Sequence, residues 1–249
     1  MQPEEGLERL RALGFAEADA AELWAHFDDA ERRGKPSHGH ARIPWLEGLA
    51  GYDADAEPRL LEDEEGFQRW HGGGAVGYLV LGRVVGAQLE RPPAHARLVV
   101  CERTFPTGML GRHVRRLADG GLVALLTTTS PRRLAHPDGG EKLASTSPLA
   151  IGIPSSGGDP VVADVSMAAV TWGDVVAGLA KEEDVVPFGG PQAHKAFALA
   201  IGLQLLVDAL VREEGHGAVL LVARPESDPV PALRELAAGV RLPGSPPAT

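Results

Sequence analysis

Within one stretch, Pro36-Ser37-His38-Gly39-His40-Ala41-Arg42-Ile43-Pro44-Trp45, the chain carries two imidazoles, a hydroxyl and a guanidinium. The glycine between the histidines allows a tight turn that aims side chains into a cleft. Histidine is the side chain best placed to exchange a proton near neutral pH, and arginine offers a planar fork matched to a carboxylate. A proton-transfer group beside a carboxylate clamp predicts an enzyme acting on a small acid. The plainer readings are a His38 that satisfies backbone groups at a helix entry, an Arg42 paired on the surface with Glu47 or another nearby acid, and a packed or solvent-facing His40. Reading His38-x-His40 as a metal pair requires a buried strand before it and further His and Asp ligands downstream. Ala30-Glu31-Arg32-Arg33-Gly34-Lys35 is no such strand, so no metal site is expected. The chain also lacks a GK[ST] phosphate loop and a G-x-S-x-G nucleophile motif.

These residues sit in a chain of 249 residues, long enough for one large domain or two lobes. The net charge of −10 argues against a nucleic-acid surface, which needs clustered Lys and Arg; one local arginine can still capture a small anion. The single cysteine, Cys101, excludes an internal disulfide and a Cys-rich zinc site, and its apolar run Leu98-Val99-Val100-Cys101 places it in the core. With no signal peptide and no run of about 18 apolar residues, the expected location is the cytoplasm, without membrane contact.

The spacing of Leu7, Leu10 and Leu13, stopped by Gly14, predicts a first helix, and Glu17–Arg33 a second. A short helix follows from Arg42 to Leu49. Pro58–Glu62 reads as a strand, with 63–66 as its turn. Gly72-Gly73-Gly74-Ala75-Val76-Gly77 has the letters of a dinucleotide fingerprint. Phe67–His71 before it reads as a poor central strand, however, and no acid follows at the right distance. A glycine-rich turn opening a helix Tyr78–Leu89 is preferred. Strand Ala96–Cys101, helix Gly108–Leu117 and strand Leu122–Thr128 read as a βαβ-like unit. Strands at 148–154 and 160–164 follow, then a rigid Pro187–Pro191 loop. The helix from about His194 to Arg212 is apolar nearly all round and so reads as central. A strand Ala218–Ala223, a short helix near Pro231–Ala238 and an extended tail over 240–247, ending in disorder, complete an α/β chain.

Several of these pieces, in order, resemble the malate/L-lactate dehydrogenase-like family, which includes L-sulfolactate, ureidoglycolate and diketogulonate enzymes and a piperideine-2-carboxylate reductase. The region Gly34–Leu49 is similar to its Ser-His-Gly-x-x-Arg hallmark. Asp164-Val165-Ser166-Met167 resembles its cofactor segment, and Thr128-Thr129-Ser130-Pro131 and Ser145-Thr146-Ser147-Pro148 resemble its turns. Pro187-Phe188-Gly189-Gly190 with His194-Lys195, and Val240-Arg241-Leu242-Pro243-Gly244, are similar to two later elements. The resemblance implies an α/β, non-Rossmann NAD(P)-binding fold of the L-sulfolactate dehydrogenase type, a mixed sheet with flanking helices, usually dimeric. Residues 1–95 would form a helical substrate segment, 96–190 a reduced cofactor lobe, and 191–249 a segment returning to the substrate lobe. It implies His38 as proton donor, Arg42 as carboxylate clamp and Ser37 as an orienting hydroxyl. Thr128, Ser130, Thr146, Asp164, Ser166, Met167 and Lys195 would lie along NADH or NADPH. Asp164 also reads on its own as a helix N-cap.

The departures from the pattern are specific. Pro106 stands where the family has a second active-site histidine, Thr129 and Ser147 replace turn asparagines, Ala196 replaces a glycine, and only thirteen residues separate Gly173 from Pro187. The expected activity is NAD(P)H-dependent reduction of a small 2-oxo acid or cyclic imine carboxylate. The alternatives are cofactor-independent proton chemistry (tautomerisation, dehydration or cyclisation) at the same His38/Arg42 site, or a non-catalytic relative that binds a metabolite or a partner.

Overall fold

The computed structural model describes residues 1–245. An N-terminal helical layer comes first, with α1 over Pro3–Ala12, α2 over Glu17–Arg32, a single 3-10 turn at Pro36–His38, and α3 over Arg42–Glu47. Leu10, Phe15, Leu23, Phe27, Ile43 and Leu46 close it into a small apolar core that also takes in Val76 and Leu79. Seven strands follow: β1 Arg59–Glu64, β2 Phe67–His71, β3 Ala96–Glu102, β4 Val123–Thr128, β5 Leu149–Ile153, β6 Val161–Val165 and β7 Ala218–Ala223. They form one mixed sheet in the order β1-β2-β3-β7-β4-β5-β6. Helices α4 (Gly77–Glu90) and α5 (Leu110–Asp119) join its main core, where Val80, Val84, Val114 and Leu117 meet Val99, Leu126 and Leu220. Short α6 (Trp172–Val176), long α7 (Ala193–Leu210) and α8 (Val230–Leu236) complete the order. All three sequence segments contribute strands, and β7 of the last lies between β3 and β4, antiparallel to both. The expected β3–α5–β4 crossover therefore skips one strand position.

Two expectations are corrected. Phe67–His71 is a true interior strand, paired with β1 and parallel to β3. Its polar residues misled the reading because their heads find buried partners: Arg69 donates to Glu102 at 2.8 Å, and Gln68 accepts from Trp70 and Gln88. The glycine run after it nonetheless serves packing. A Cβ on Gly72 would stand 2.2 Å from the Arg103 carbonyl, and one on Gly77 would stand 2.7 Å from the Pro106 carbonyl. The start of α4 is thus covered by the chain's own backbone.

Helix α7 is peripheral rather than central. It buries Ala196, Ala200, Gln204 and Val207 but leaves Leu199 and Leu205 more than half exposed. Together with the turn before it, Gly190–Leu210 is long and apolar enough to cross a membrane by length and composition alone, although His194, Lys195, Gln204 and Asp208 interrupt it. Its buried side packs on β4 and β7. The tail is pinned as far as it is described: the Gly244 carbonyl accepts from Arg33 and Arg115, and that of Pro243 from Val162 N–H. The expected disorder at 246 and 247 lies outside the described residues.

Candidate active site

A cavity of about 530 Å³ opens where the 3-10 turn, the 105–109 loop, the ends of β4 and β6, and α6 converge. It is lined by Ser37, His38, Arg42, Thr128, Ser130, Thr146, Asp164 and Ser166 among others. Eight of the ten residues singled out in the sequence are thereby brought to one site. Met167 and Lys195 lie outside this lining. Ser166 and Met167 both lie just past the end of β6, where Ser166 lines the cavity and Met167 is buried in an apolar cluster with Leu134, Ala144 and Ala200. Lys195 is exposed in the first turn of α7. His40 stacks on Trp24, ring centroids 4.6 Å apart, its backbone N–H held by Glu31.

Arg42 and His38 converge. A Cβ on Gly173 would stand 2.5 Å from an Arg42 terminal nitrogen and 3.0 Å from the His38 ring, so only glycine lets α6 close over them. The surface pair considered for Arg42 is taken: Glu47 binds Arg9 through two hydrogen bonds of 2.7 Å. Arg42 is 7% exposed, packs its guanidinium 5.0 Å from the Trp45 ring, and has no carboxylate partner among the described residues. Its Nε is buried without a hydrogen bond. A buried, uncompensated guanidinium costs several kcal/mol unless an anion joins it, so it marks an anion-binding position.

The Ser37 hydroxyl meets His38 Nδ1 at 3.1 Å. Burial, and then the neighbouring Arg42 charge, bring His38 down to about 4, against a weaker upward pull from Asp164. Asp174 stands behind Ser37; burial pushes its carboxyl up, but hydrogen bonds from Ser37 and Thr171 win and hold it low. Thr171 and Asp174 fix each other in a capping box at the start of α6, with Thr171 N–H donating at 2.7 Å and its hydroxyl accepting from Asp174 N–H at 3.2 Å. Thr171-x-x-Asp174 is the sequence signature of this box.

Asp164 is no N-cap; it lies within β6 and pairs with Lys35 at 2.9 Å on the cavity wall. Both replaced turn asparagines act in support. Thr129 and Gly217 bond reciprocally through backbone and hydroxyl. Ser147 donates to the Ala200 carbonyl, and Ser145 N–H donates to Gln204, which fixes Thr146 between them. Pro106 lines the cavity with Phe105 and Thr107. Sequence reading also missed Tyr78 and Arg133 as site residues. Arg133 stacks 3.5 Å from the Trp172 ring centroid and borders a second cavity of about 1090 Å³ walled by Val185, Pro187 and Gly189.

The malate/L-lactate dehydrogenase family profile matches residues 7–187. A (2R)-3-sulfolactate dehydrogenase (NADP(+)) from Chromohalobacter salexigens is 31% identical over 177 residues, 67% of this chain and 51% of that protein. A Delta(1)-pyrroline-2-carboxylate/Delta(1)-piperideine-2-carboxylate reductase from Pseudomonas syringae pv. tomato is 27% identical over 207 residues, 73% of this chain and 60% of that protein. The matched stretches therefore span about half to three fifths of these curated relatives. Among solved structures, the delta1-piperideine-2-carboxylate reductase from Pseudomonas syringae pvar. tomato superposes with a TM-score of 0.81 at 23% identity, over 97% of this chain and 88% of that one. The sulfolactate dehydrogenase from Methanocaldococcus jannaschii gives 0.78 at 17% identity, over 99% and 83%. The expected sulfolactate dehydrogenase-type mixed sheet is the fold observed. By profile, sequence and architecture together, the chain belongs to the malate/L-lactate dehydrogenase family.

Proposed function

We propose that this chain is a nicotinamide-dependent reductase of a small 2-oxo acid or cyclic imine carboxylate. One observation carries the reading: a buried guanidinium with no acid of its own, converging with a buried imidazole at one cavity. Arg42 holds the carboxylate. His38 faces the reacting oxygen or nitrogen and moves its proton. The Ser37 hydroxyl, with Asp174 behind it, receives Nδ1–H, so that Nε2 is the ring nitrogen left for the substrate.

The residues present fit a dinucleotide. Thr128, Ser130, Thr146 and Ser166 supply hydroxyls on one wall, and Asp164 lies beside them. Arg133, without a carboxylate partner among the described residues, joins this cavity to the second, larger one and suits a phosphate. Bound there, NADH or NADPH would supply the hydride. Of the thirteen residues between Gly173 and Pro187, Glu182, Glu183, Val185 and Val186 line the second cavity.

The test is titration with NADH and NADPH, followed by fluorescence and melting temperature, and then turnover of a panel of 2-oxo acids and cyclic imines. A ligand at a hundred times its Kd should stabilise the fold by about 2.7 kcal/mol. Cofactor binding with turnover is expected. Stabilisation by a small acid alone, without cofactor, would replace the hydride reading with proton chemistry or simple binding.

We further propose that two copies pair through α7, where Leu199, Leu205 and Leu206 stand exposed beside Leu221 of β7. Exposed apolar side chains gathered on one helix are what such an interface would cover. Sedimentation should give twice the chain mass, and Leu205→Glu should give a folded monomer. A wild-type chain that stays monomeric at micromolar concentration would rule the pairing out.

A further inference from the structure

Tyr78 occupies the second position of α4 and is 2% exposed, yet its hydroxyl has no hydrogen-bond partner among the described residues. The ring is fixed from three sides. Phe27 and His26 meet it edge-on at 5.3 and 4.9 Å between centroids. A Cβ on Gly108 would stand 2.2 Å from Cε1, so the loop passes this ring only because residue 108 is glycine, with φ +68°. His26 is itself tied down by Met109 N–H at 3.0 Å. The phenol is thus held rigidly as part of the wall of the cavity that contains Arg42.

A buried hydroxyl left without a partner is costly, and phenylalanine would fill the same space without that cost. Burial raises the phenol's pKa and Arg42 lowers it, with burial the larger effect. The group therefore stays protonated and can donate. Tyr78 and Arg42 line the same cavity, so a carboxylate on the guanidinium occupies the space whose wall holds this phenol. We propose that Tyr78 is a positioning residue that donates a second hydrogen bond to the substrate carboxylate held by Arg42. The proposal rests on the reading of Arg42 as a carboxylate clamp and adds a residue to that clamp. It also gives the cavity a donor near the Phe105–Pro106 turn, where proline can offer none.

The experiment is calorimetric titration of wild type, Tyr78→Phe and Arg42→Met with oxalate and pyrrole-2-carboxylate, planar non-reacting acids, alongside melting curves without ligand. Loss of a hydrogen bond to a charged group should weaken Tyr78→Phe binding about ten- to hundredfold. With substrate, KM should rise and kcat should stay within about twofold. The unliganded variant should melt at or above the wild-type temperature, by up to about 4 °C, because an unpaired polar group has gone. Wild-type affinity in Tyr78→Phe, with binding lost in Arg42→Met, would overturn the role of Tyr78 and leave the clamp intact. Failure of wild type to bind either acid would overturn both. A Tyr78→Phe protein that melts well below wild type with unchanged affinity would show a structural hydroxyl and overturn the proposal.

Discussion

Arg42→Met should lower kcat/KM for a 2-oxo or imine carboxylate by about 10²–10³-fold, the scale of removing one partner of a buried, hydrogen-bonded charge pair. Most of the loss should appear in KM, because the carboxylate is held alike in ground and transition states. Stability should move the other way. In the free protein Arg42 is a buried cation with an unpaired Nε and no acid among the described residues, so a methionine of similar length removes a desolvation cost rather than an ion pair. The variant should therefore melt above wild type while binding substrate poorly. Arg42→Lys should rescue little, since a point charge cannot replace the fork. Steady-state kinetics with melting curves checks this. An unchanged KM, or a destabilised Arg42→Met, would give Arg42 a structural role instead.

His38→Ala should cut turnover of a 2-oxo acid by about 10²–10⁴-fold, the usual worth of a positioned proton donor. The pH dependence carries the finer test. Burial, then Arg42, hold His38 at about 4 in the free protein, so the protonated form that reduction needs is lost as pH rises past that value. For a 2-oxo acid, kcat/KM should fall about tenfold per pH unit above it. A carboxylate on Arg42 cancels part of the repulsion that depresses His38, so the corresponding limb of kcat should lie at higher pH. In the oxidative direction the neutral imidazole is the base, and the rate should rise through the same pH and then level off. A cyclic imine whose nitrogen is already protonated needs no proton from the enzyme, so His38→Ala should cost it less than about tenfold. Paired pH–rate profiles for a 2-oxo acid and a cyclic imine check all of this. A flat profile for both, with His38→Ala near full rate, would remove His38 from the chemistry.

The sequence by itself determined the local parts of this site. Ser37, His38 and Arg42 lie within six residues on one turn and the helix it opens, so residue types and spacing were enough to group them. Most helices and strands followed from apolar periodicity, because period reports which face is buried. What the sequence missed depends on partners far along the chain. Phe67–His71 looked too polar for an interior strand because Glu102 and Gln88, which satisfy it, come some 20 to 33 residues later. Helix α7 looked central because composition shows how apolar an element is, not what covers it. Ser166 and Met167 are neighbours in one motif, yet past the end of β6 one lines the cavity and the other enters an apolar cluster. Tyr78 read as one more helix residue; only the packing of Gly108, His26 and Phe27 around its ring leaves a buried, unpaired hydroxyl in the wall of the site. Tertiary structure decided these points because desolvation and partner satisfaction are properties of the assembled surroundings, and neighbours in sequence do not report them.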